Sequence, residues 1–308
     1  MKKINIVISL LLFLLMPLML SGTYENTYDF LNIPESGITE LVSGSGHSTI
    51  EGIGSVYGNP AGFSGNRDRN VLFSDTEGLG DTRKMGLFYG QSLKPFNIIA
   101  GLRYFYLKDE IKTDTKNIGY KSYSMDVSLS RKFAQLRDLE TGLHISYAGS
   151  RLGTYNASLL LFDAGFQYKL TVPYIGSMSL KKNLGLGLSV NRIGFSLKSY
   201  GEEEQVPLIV SGGFKYQYLQ LPFLLSRVLV NYLYDTAAAG TISIGMGFTL
   251  FSLVELSLGY RTGDTLNPLS MGLGIRYLLN HTEYRLDYTI MPAGDFSPVH
   301  LISLIVSI

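Results

Sequence analysis

The amino-acid sequence predicts an all-β protein: a transmembrane antiparallel β-barrel of about fourteen strands, with an N-terminal hatch segment in the barrel lumen. An apolar leader follows two lysines at the N-terminus, as in exported proteins. Long stretches of the chain then alternate apolar with small or polar residues, which is the period of a β-strand. Charged residues make up 17% of the chain, against about 25% in soluble domains. Together these observations favour strands that face a membrane.

Residues 1–22 predict a secretory signal peptide. Lys2 and Lys3 form a charged start, an apolar run follows, and Ser21 and Gly22 supply small residues at its exit. An uncleaved membrane anchor is the alternative, because the apolar run is longer than the usual ~7–15 residues. An exported barrel belongs in the outer membrane of a diderm bacterium, which is the expected location.

The segment 23–63 shows no strand alternation, and we expect it to form the hatch. Its central part is rich in glycine, which lets a backbone approach a barrel wall closely and turn sharply. Asn59 and Pro60 form a turn-initiating pair, so the hatch should end near them and the barrel, 64–308, should follow. An ordinary turn is the alternative interpretation of this pair.

The remainder of the chain predicts the barrel strands. From Leu269 to Tyr277, for example, every second residue is apolar and the residues between them are Ser, Gly or Arg. Fourteen such runs leave roughly 17 residues for each strand and its connection, enough for a tilted membrane strand of ~10 residues and a turn. The predicted strands lie near 70–74, 84–92, 95–107, 118–132, 141–153, 157–170, 182–197, 206–217, 225–234, 240–250, 252–262, 268–280, 282–291 and 298–308.

A soluble β-sandwich is the other architecture that alternating strands can form. A sandwich would show water a face of Lys, Glu and Thr, whereas the polar face here is mostly Gly and Ser, as suits a crowded lumen. Barrel closure also leaves no exposed strand edge. Tyrosines on the apolar face near strand ends should lie at the lipid headgroup boundary. They are Tyr104, Tyr106, Tyr168, Tyr216, Tyr260, Tyr277 and Tyr284.

Eight charged side chains fall on the polar face of the strands, and we expect them to point into the lumen. An Arg or Lys on the lipid side near the midplane would cost about 2–4 kcal/mol. Two roles are open for these charges: ion pairs that brace the barrel and anchor the hatch, or a ring that orients a substrate carboxylate. The candidate lumen charges are Arg103, Asp126, Asp163, Glu255, Arg261, Arg276, Arg285 and Asp287.

Several function classes lack the residues that they require. The chain has no cysteine, which excludes disulfide scaffolds, thiol catalysis and iron–sulfur clusters. It has no G-x-S-x-G, H-E-x-x-H or P-loop motif, so we expect neither enzyme activity nor a cofactor. The formal net charge of +1 offers no basic field for nucleic acid.

The histidines are scattered over the hatch, two strands and a turn, so no metal site is expected. His144 and Ser146 share one strand face, and they could form a hydrolytic pair like that of a barrel lipase. The alternative is that His144 is a structural polar residue of the lumen, since no oxyanion-donor motif accompanies it. The four histidines are His47, His144, His281 and His300.

The end of the hatch segment carries a motif that resembles a known family. Residues 59–62 read Asn-Pro-Ala-Gly, and Glu51 stands eight residues before them. This pattern is similar to the N-terminal signature of the PorV/PorQ group, which belongs with the FadL-type outer-membrane long-chain fatty acid channels. Gly52 stands where that group carries a second acid. The hatch residues that this resemblance implies are Glu51, Asn59, Pro60, Ala61 and Gly62.

Three downstream segments resemble the same group. Residues 163–168 match its Asp-x-Gly-x-x-Tyr strand, and residues 191–194 resemble its Asn-x-x-Gly turn region. Residues 300–304 resemble its closing strand, with Leu301 in place of the usual Arg, and the chain ends in Ile308 instead of an aromatic residue. The resemblance implies a fourteen-stranded barrel whose N-terminal segment folds inward as a hatch.

The resemblance implies two alternative functions. The first is passive uptake of hydrophobic small molecules, such as long-chain fatty acids, which bind beside the hatch and pass when it shifts. The second is a PorV-like accessory role in protein secretion or surface attachment, with protein partners bound at the loops and hatch. Membrane lipids are expected partners in both cases. The first function is favoured by apolar residues expected on the lumen side, namely Phe105, Leu161, Leu301 and Ile305.

Overall fold

A computed structural model describes residues 36–63, 69–78, 81–108, 111–112, 117–133, 138–172, 183–199, 206–236, 240–263, 268–294 and 296–308. The expected signal peptide, 1–22, and the start of the expected hatch, 23–35, lie outside the described residues. The strands are β1 (Asn70–Glu77), β2 (Thr82–Leu93), β3 (Phe96–Leu107), β4 (Ile111–Lys112), β5 (Asn117–Ile118), β6 (Tyr120–Lys132), β7 (Leu139–Leu152), β8 (Tyr155–Leu170), β9 (Leu184–Lys198), β10 (Ile209–Leu221), β11 (Leu224–Asp235), β12 (Thr241–Leu250), β13 (Val254–Arg261), β14 (Leu269–Leu279), β15 (Thr282–Ala293) and β16 (Phe296–Ser307).

The strands close into a barrel. Each long strand pairs antiparallel with its sequence neighbours, β4 and β5 form a separate small hairpin, and β1 pairs with β16 from Asn70–Ser307 to Glu77–His300. Within the described residues, the barrel has fourteen strands, which confirms the predicted fold class. The end that carries the start of β1 and the end of β16 is termed the terminal end, and the opposite end is termed the far end.

The first strand is longer than predicted. Alternation of apolar residues stops after Ser74, yet β1 continues to Glu77. The reason is that two outward carboxylates of this extension have basic partners: Asp75 pairs with Arg83 of β2, and Glu77 pairs with Lys108. Ion pairs at the far rim therefore extend a strand that hydrophobicity alone would end.

The two faces of the strands differ as the alternation predicts. On β13, Leu256 and Leu258 of the outward face are 44% and 53% exposed, whereas Ser257 of the inward face is 4% exposed. The predicted tyrosines also lie outward, Tyr260 and Tyr277 among them. Closure pairs every wall strand on both sides, as hydrocarbon requires. In the described part of the chain, no helix has both the length and the apolar character to cross a membrane.

Residues 36–63 pack inside the lumen. They form three short 3-10 helices, Thr39–Gly44, Gly52–Tyr57 and Pro60–Phe63. The apolar side chains of this segment meet inward side chains of β1, β2 and β3 and form a continuous buried core, so the segment fills space that would otherwise hold water. The core comprises Ile38, Ile50, Ile53, Val56, Phe63, Leu72, Phe88 and Ile99.

A β-bulge interrupts the pairing of β8 with β9. The register shifts between Phe162 and Ala164, and Arg192 adopts a positive φ of 64°. As a result Asn191 is buried on the inward face whereas Ile193, two residues later, is 43% exposed on the outward face. The segment 191–194, which resembled a turn region in sequence, therefore lies within a strand, because the bulge accommodates the extra residue without ending the ladder.

We expect Leu258→Arg to destabilise the barrel by about 2–4 kcal/mol, because Leu258 lies midway along β13 on the lipid-facing surface. The measurement is urea-induced unfolding of protein refolded into phosphatidylcholine vesicles. Leu258→Ala, which adds no charge, is the control and should lose less stability. Equal urea midpoints for the Arg variant and the unmodified protein would show that this surface does not face lipid.

Candidate functional site

Asn59 joins the hatch to the barrel wall. Its fully buried side-chain amide donates hydrogen bonds to the carbonyl oxygens of Ser48 in the hatch, Phe166 in β8 and Leu188 in β9, at 2.7, 3.0 and 3.2 Å. Its Oδ1 accepts a hydrogen bond from the backbone N–H of Ala61 at 3.0 Å. One side chain therefore satisfies acceptors on three segments and fixes the start of the last 3-10 helix.

The wall is shaped to receive this turn. Gly142 of β7 and Gly165 of β8 lie directly behind it. A Cβ atom on Gly165 would lie 2.9 Å from Cδ of Pro60, and one on Gly142 would lie 2.5 Å from the backbone nitrogen of Ala61, both closer than atoms can approach. The glycines of these two strands thus provide the space that the Asn-Pro-Ala-Gly turn occupies.

Polar side chains from other strands hold the rest of the hatch. Gln167 of β8 donates to the carbonyl oxygen of Ile50 at 2.8 Å, and Asn191 of β9 donates to that of Gly58 at 2.9 Å. Arg261 of β13 donates to the carbonyl oxygen of Ser43 at 3.0 Å. Three carbonyl groups of the hatch thus accept hydrogen bonds from the barrel wall, which ties the hatch to β8, β9 and β13.

A continuous series of ion pairs, termed the ionic chain, runs around the inside of the wall near the terminal end. Two of its acids, Glu40 and Glu51, belong to the hatch. Lys215 Nζ lies 3.6 Å from Oε2 of Glu40 and 2.5 Å from Oε1 of Glu51, while Lys169 Nζ lies 2.9 Å from Oε2 of Glu51. In order, the ionic chain consists of Asp287, Arg285, Glu255, Arg227, Glu40, Lys215, Glu51, Lys169, Glu140, Lys132 and Asp138.

The ionic chain couples hatch docking to charge pairing in the wall. The side chains of Glu255 and Arg227 are each 6% exposed and that of Asp287 is fully buried. A buried ion that loses its partner is strongly destabilising. Withdrawal of the hatch would remove Glu40 and Glu51 and leave Lys215 without the two carboxylates that flank it.

A second charged group, termed the His144 group, lies at mid-height on β3, β6, β7 and β8. Nδ1 of His144 lies 2.7 Å from Oδ2 of Asp163, and its Nε2 lies 3.1 Å from Oδ1 of Asp126. Arg103 donates from Nε to Oδ2 of Asp126 at 3.0 Å and forms a short ion pair with its other oxygen. Asp163 also accepts the backbone N–H of Arg192 at 2.7 Å, so this group supports the bulge.

The geometry does not form the hydrolytic pair considered from sequence. Both ring nitrogens of His144 are engaged with carboxylates, so neither can take a proton from Ser146. Ser146 Oγ instead lies 3.5 Å from Nη2 of Arg103. Among the described residues, no group of three or more His, Cys, Asp or Glu side chains is arranged to hold a metal ion.

The structure divides the eight candidate lumen charges between separate places. Arg103, Asp126 and Asp163 belong to the His144 group, and Glu255, Arg285 and Asp287 belong to the ionic chain. Arg261 contacts the hatch backbone directly. Arg276 stands apart, because it lies toward the terminal rim with a 39% exposed side chain and pairs with Glu283.

Several residues of the ionic chain are not among the candidates that the sequence predicts. Glu40 lies in a segment without a motif, Lys169 lies near the end of β8, and Lys215 lies in the middle of β10. Both lysines occupy alternate positions that face the lumen, and this spacing could have identified them. Lys169 follows Gly165 and Gln167 at spacings of two, and Lys215 follows Ser211 and Gly213.

The ionic chain also sets the protonation of the hatch acid. Burial would raise the pKa of Glu51, but the ammonium groups of Lys215 and Lys169 outweigh burial and lower this pKa to about 2. The Glu51 side chain is 39% exposed, so solvent screens part of this attraction. Glu51 is therefore a carboxylate at neutral pH, and its attraction to the two lysines helps to hold the hatch.

Apolar side chains line the lumen between the His144 group and the far end. A buried cluster on the inward face consists of side chains from β3, β7 and β8, with Tyr120 and Val206 packed against it. A second cluster lies on β15 and β16 and includes Leu301. The first cluster comprises Phe105, Ala148, Ala157, Leu159 and Leu161, and the second comprises Met291, Val299 and Leu301.

Comparison with solved structures identifies the same barrel in other proteins. The toluene transporter TodX of Pseudomonas putida superposes with a TM-score of 0.55 at 12% identity, over 94% of this chain and 99% of that one. A FadL homologue of Pseudomonas aeruginosa gives 0.53 at 10% identity, over 89% and 98%. The toluene transporter TbuX of Ralstonia pickettii gives 0.55 at 9% identity, over 88% and 97%. No protein-family profile and no curated protein sequence matches the chain.

These likenesses establish the fold. The chain forms a closed antiparallel β-barrel of fourteen strands, the fold of these outer-membrane proteins, and residues 36–63 occupy its lumen. The identities of 9–12% are too low to transfer a substrate or a partner.

We expect Asn59→Asp to release the hatch. Aspartate keeps the acceptor for Ala61 but loses the two N–H donors that the three carbonyl oxygens share, and about 1 kcal/mol per donor predicts a loss of about 2 kcal/mol in docking. The measurement is hydrogen exchange of backbone amides 44–58, which should become faster. Asn156→Ala, at an exposed position of β8, is the control. Unchanged exchange in Asn59→Asp would show that the amide does not hold the hatch.

We expect hatch docking to weaken between about pH 4.5 and pH 2, and Glu51→Gln to flatten this dependence. The pKa of Glu51 in the folded protein, about 2, lies below its ordinary value of 4.5, so its contribution is present above pH 4.5 and is lost as the pH falls toward 2. Protease sensitivity of the hatch against pH measures the effect. Glu283→Gln, which removes a carboxylate at the rim, should keep the dependence. Identical profiles for Glu51→Gln and the unmodified protein would contradict this account.

Proposed function

We propose that the protein is an outer-membrane channel for passive uptake of hydrophobic small molecules of the fatty-acid type. The observation that carries the proposal is the apolar lining of the lumen at the far end, formed by the two clusters that contain Leu161 and Leu301. Apolar side chains that face an aqueous pore gain nothing there, whereas they gain about 25 cal/mol per Å² of surface buried against an apolar solute.

The order of surfaces along the lumen supports this proposal. On the β3, β7 and β8 side the apolar cluster with Leu161 lies beyond the His144 group toward the far end, whereas on the β15 and β16 side the cluster with Leu301 contacts the hatch at Gly37. The hatch core packs against β1 to β3, so this part of the lumen is filled and not an open aqueous pore. Passage therefore requires the hatch to shift, and binding of the solute supplies the free energy without an external energy source.

In this proposal the hatch contacts hold the hatch closed until a solute binds. Asn59 to Gly62 seat the turn against β7 and β8, and Glu51 binds the lysines of the wall. Both sets of bonds are polar and lie inside the lumen, so water can replace them one at a time. The candidate lumen charges brace the wall while this exchange occurs.

The similar structures also support an apolar solute. TodX and TbuX are toluene transporters, and another of the superposed structures is a homologue of FadL. The superposition with each toluene transporter covers nearly the whole length of both chains. We therefore favour an apolar solute over a sugar, an ion or a peptide.

A PorV-like accessory role in protein secretion or surface attachment is the second candidate. It is favoured by the complete Asn-Pro-Ala-Gly turn and by Glu51, which resemble the PorV/PorQ group. In this role the hatch would remain seated, since the extensive ionic chain opposes its withdrawal, and the loops would bind the partner. The two candidates differ in whether apolar solutes cross the barrel.

We expect Leu161→Ser to reduce uptake of radiolabelled oleate several-fold in cells that lack their own fatty-acid channel, because it places a hydroxyl in the apolar lining. Leu160→Ser changes the neighbouring residue, whose side chain points out of the barrel, and is the matched control. If the unmodified protein itself does not increase uptake, the channel proposal is wrong. Crosslinking that then recovers a protein of the secretion machinery would favour the accessory role.

A further inference from the structure

The outer surface at the far end carries a row of polar and charged side chains, and the balance of charge differs between the two sides of this row. Pairing in register places one outward residue from each of six neighbouring strands in a single row across the wall. This set, termed the rim row, lies on the arc of the wall from β1 to β8. The rim row consists of Glu77, Arg83, Tyr106, Lys121, Arg151 and Asn156.

The cations at the β1 side of the row are neutralised within the protein. Arg83 donates from Nε and Nη2 to the two carboxylate oxygens of Asp75, at 2.9 and 2.7 Å. Lys108 pairs with Glu77. Each positive charge on this side therefore has a carboxylate within the same patch.

The two cations at the other side lie next to each other. Lys121 of β6 and Arg151 of β7 are direct register partners, and both are exposed. Like charges directly opposite each other destabilise an antiparallel pair. Nε of Arg151, one of its five N–H donors, donates a hydrogen bond to the carbonyl oxygen of Gly153 at 3.0 Å. Within the described part of the chain, neither cation has an ion-pair partner.

These two cations lie at the level of lipid headgroups. One outward position closer to the middle of the barrel, Tyr104 and Tyr123 are register partners, and the rings of Tyr123 and Tyr147 lie 6.3 Å apart. Tyrosine girdles mark the boundary between acyl chains and headgroups in membrane barrels. Nearer the midplane, Met125 and Ile145 are 56% and 47% exposed and offer an apolar track for an acyl chain.

We propose that Lys121 and Arg151 form a binding site for the anionic phosphate headgroup of a membrane lipid, with Tyr106 and Asn156 at its flanks. Strands are spaced by about 4.8 Å, so one phosphate can accept hydrogen bonds from both side chains. The anion converts a repulsive pair into two attractive contacts. The tyrosines and the apolar track beneath favour a phosphate attached to acyl chains over a soluble anion.

Native mass spectrometry of the detergent-solubilised full chain tests this site. The probes are phosphatidylglycerol, phosphatidylcholine with the same acyl chains, and inorganic phosphate. We expect the unmodified protein to retain phosphatidylglycerol about tenfold more tightly than phosphatidylcholine, since each surface cation attracts an anionic headgroup. Lys121→Gln combined with Arg151→Gln should remove most of this preference.

Two matched variants make the result specific. Lys198→Gln removes an exposed cation at the same end of the barrel but outside the rim row, and should keep the preference. Lys121→Arg should also keep it, because it retains the charge. A preference that survives the double variant, or is absent from the unmodified protein, overturns the proposal. Displacement of phosphatidylglycerol by inorganic phosphate at equal concentration would identify a soluble-anion site instead, and would likewise overturn it.

Discussion

Hydrocarbon offers no hydrogen bonds, and this constraint organises the whole molecule. Every backbone N–H and C=O in the wall must be paired within the protein, which the closed ladder from β1 to β16 achieves. Closure then forces each strand to divide its side chains between lipid and lumen. The charged and polar residues become enclosed, where they need partners, and the hatch and the facing strands supply those partners.

The hatch is therefore a structural consequence of the barrel as well as a barrier within it. Glycines at 142 and 165 leave recesses in the wall, the Asn59 amide bonds carbonyl groups on β8 and β9, and the lysines of the ionic chain bind the hatch carboxylates. None of these contacts would be strong in water alone. Inside the lumen they act together, because each buried charge or amide would be costly without its partner.

The fold was predictable from sequence because alternation is a local property. Each run of every-second apolar residues specifies a strand and its lipid face without reference to other strands, and the number of runs gives the size of the barrel. The exceptions arise where another force acts. β1 extends through Asp75 and Glu77 because of ion pairs, and 191–194 stays within β9 because a bulge absorbs its extra residue.

The sequence alone determined which residues face outward and where most of the strands lie, since these depend on neighbours a few positions apart. Only the tertiary structure decided which charges meet. Glu40 and Glu51 reach Lys215 across more than 160 positions, and His144 binds carboxylates on both adjacent strands. Those pairings follow from strand register and barrel closure, which fix distances that no local pattern encodes.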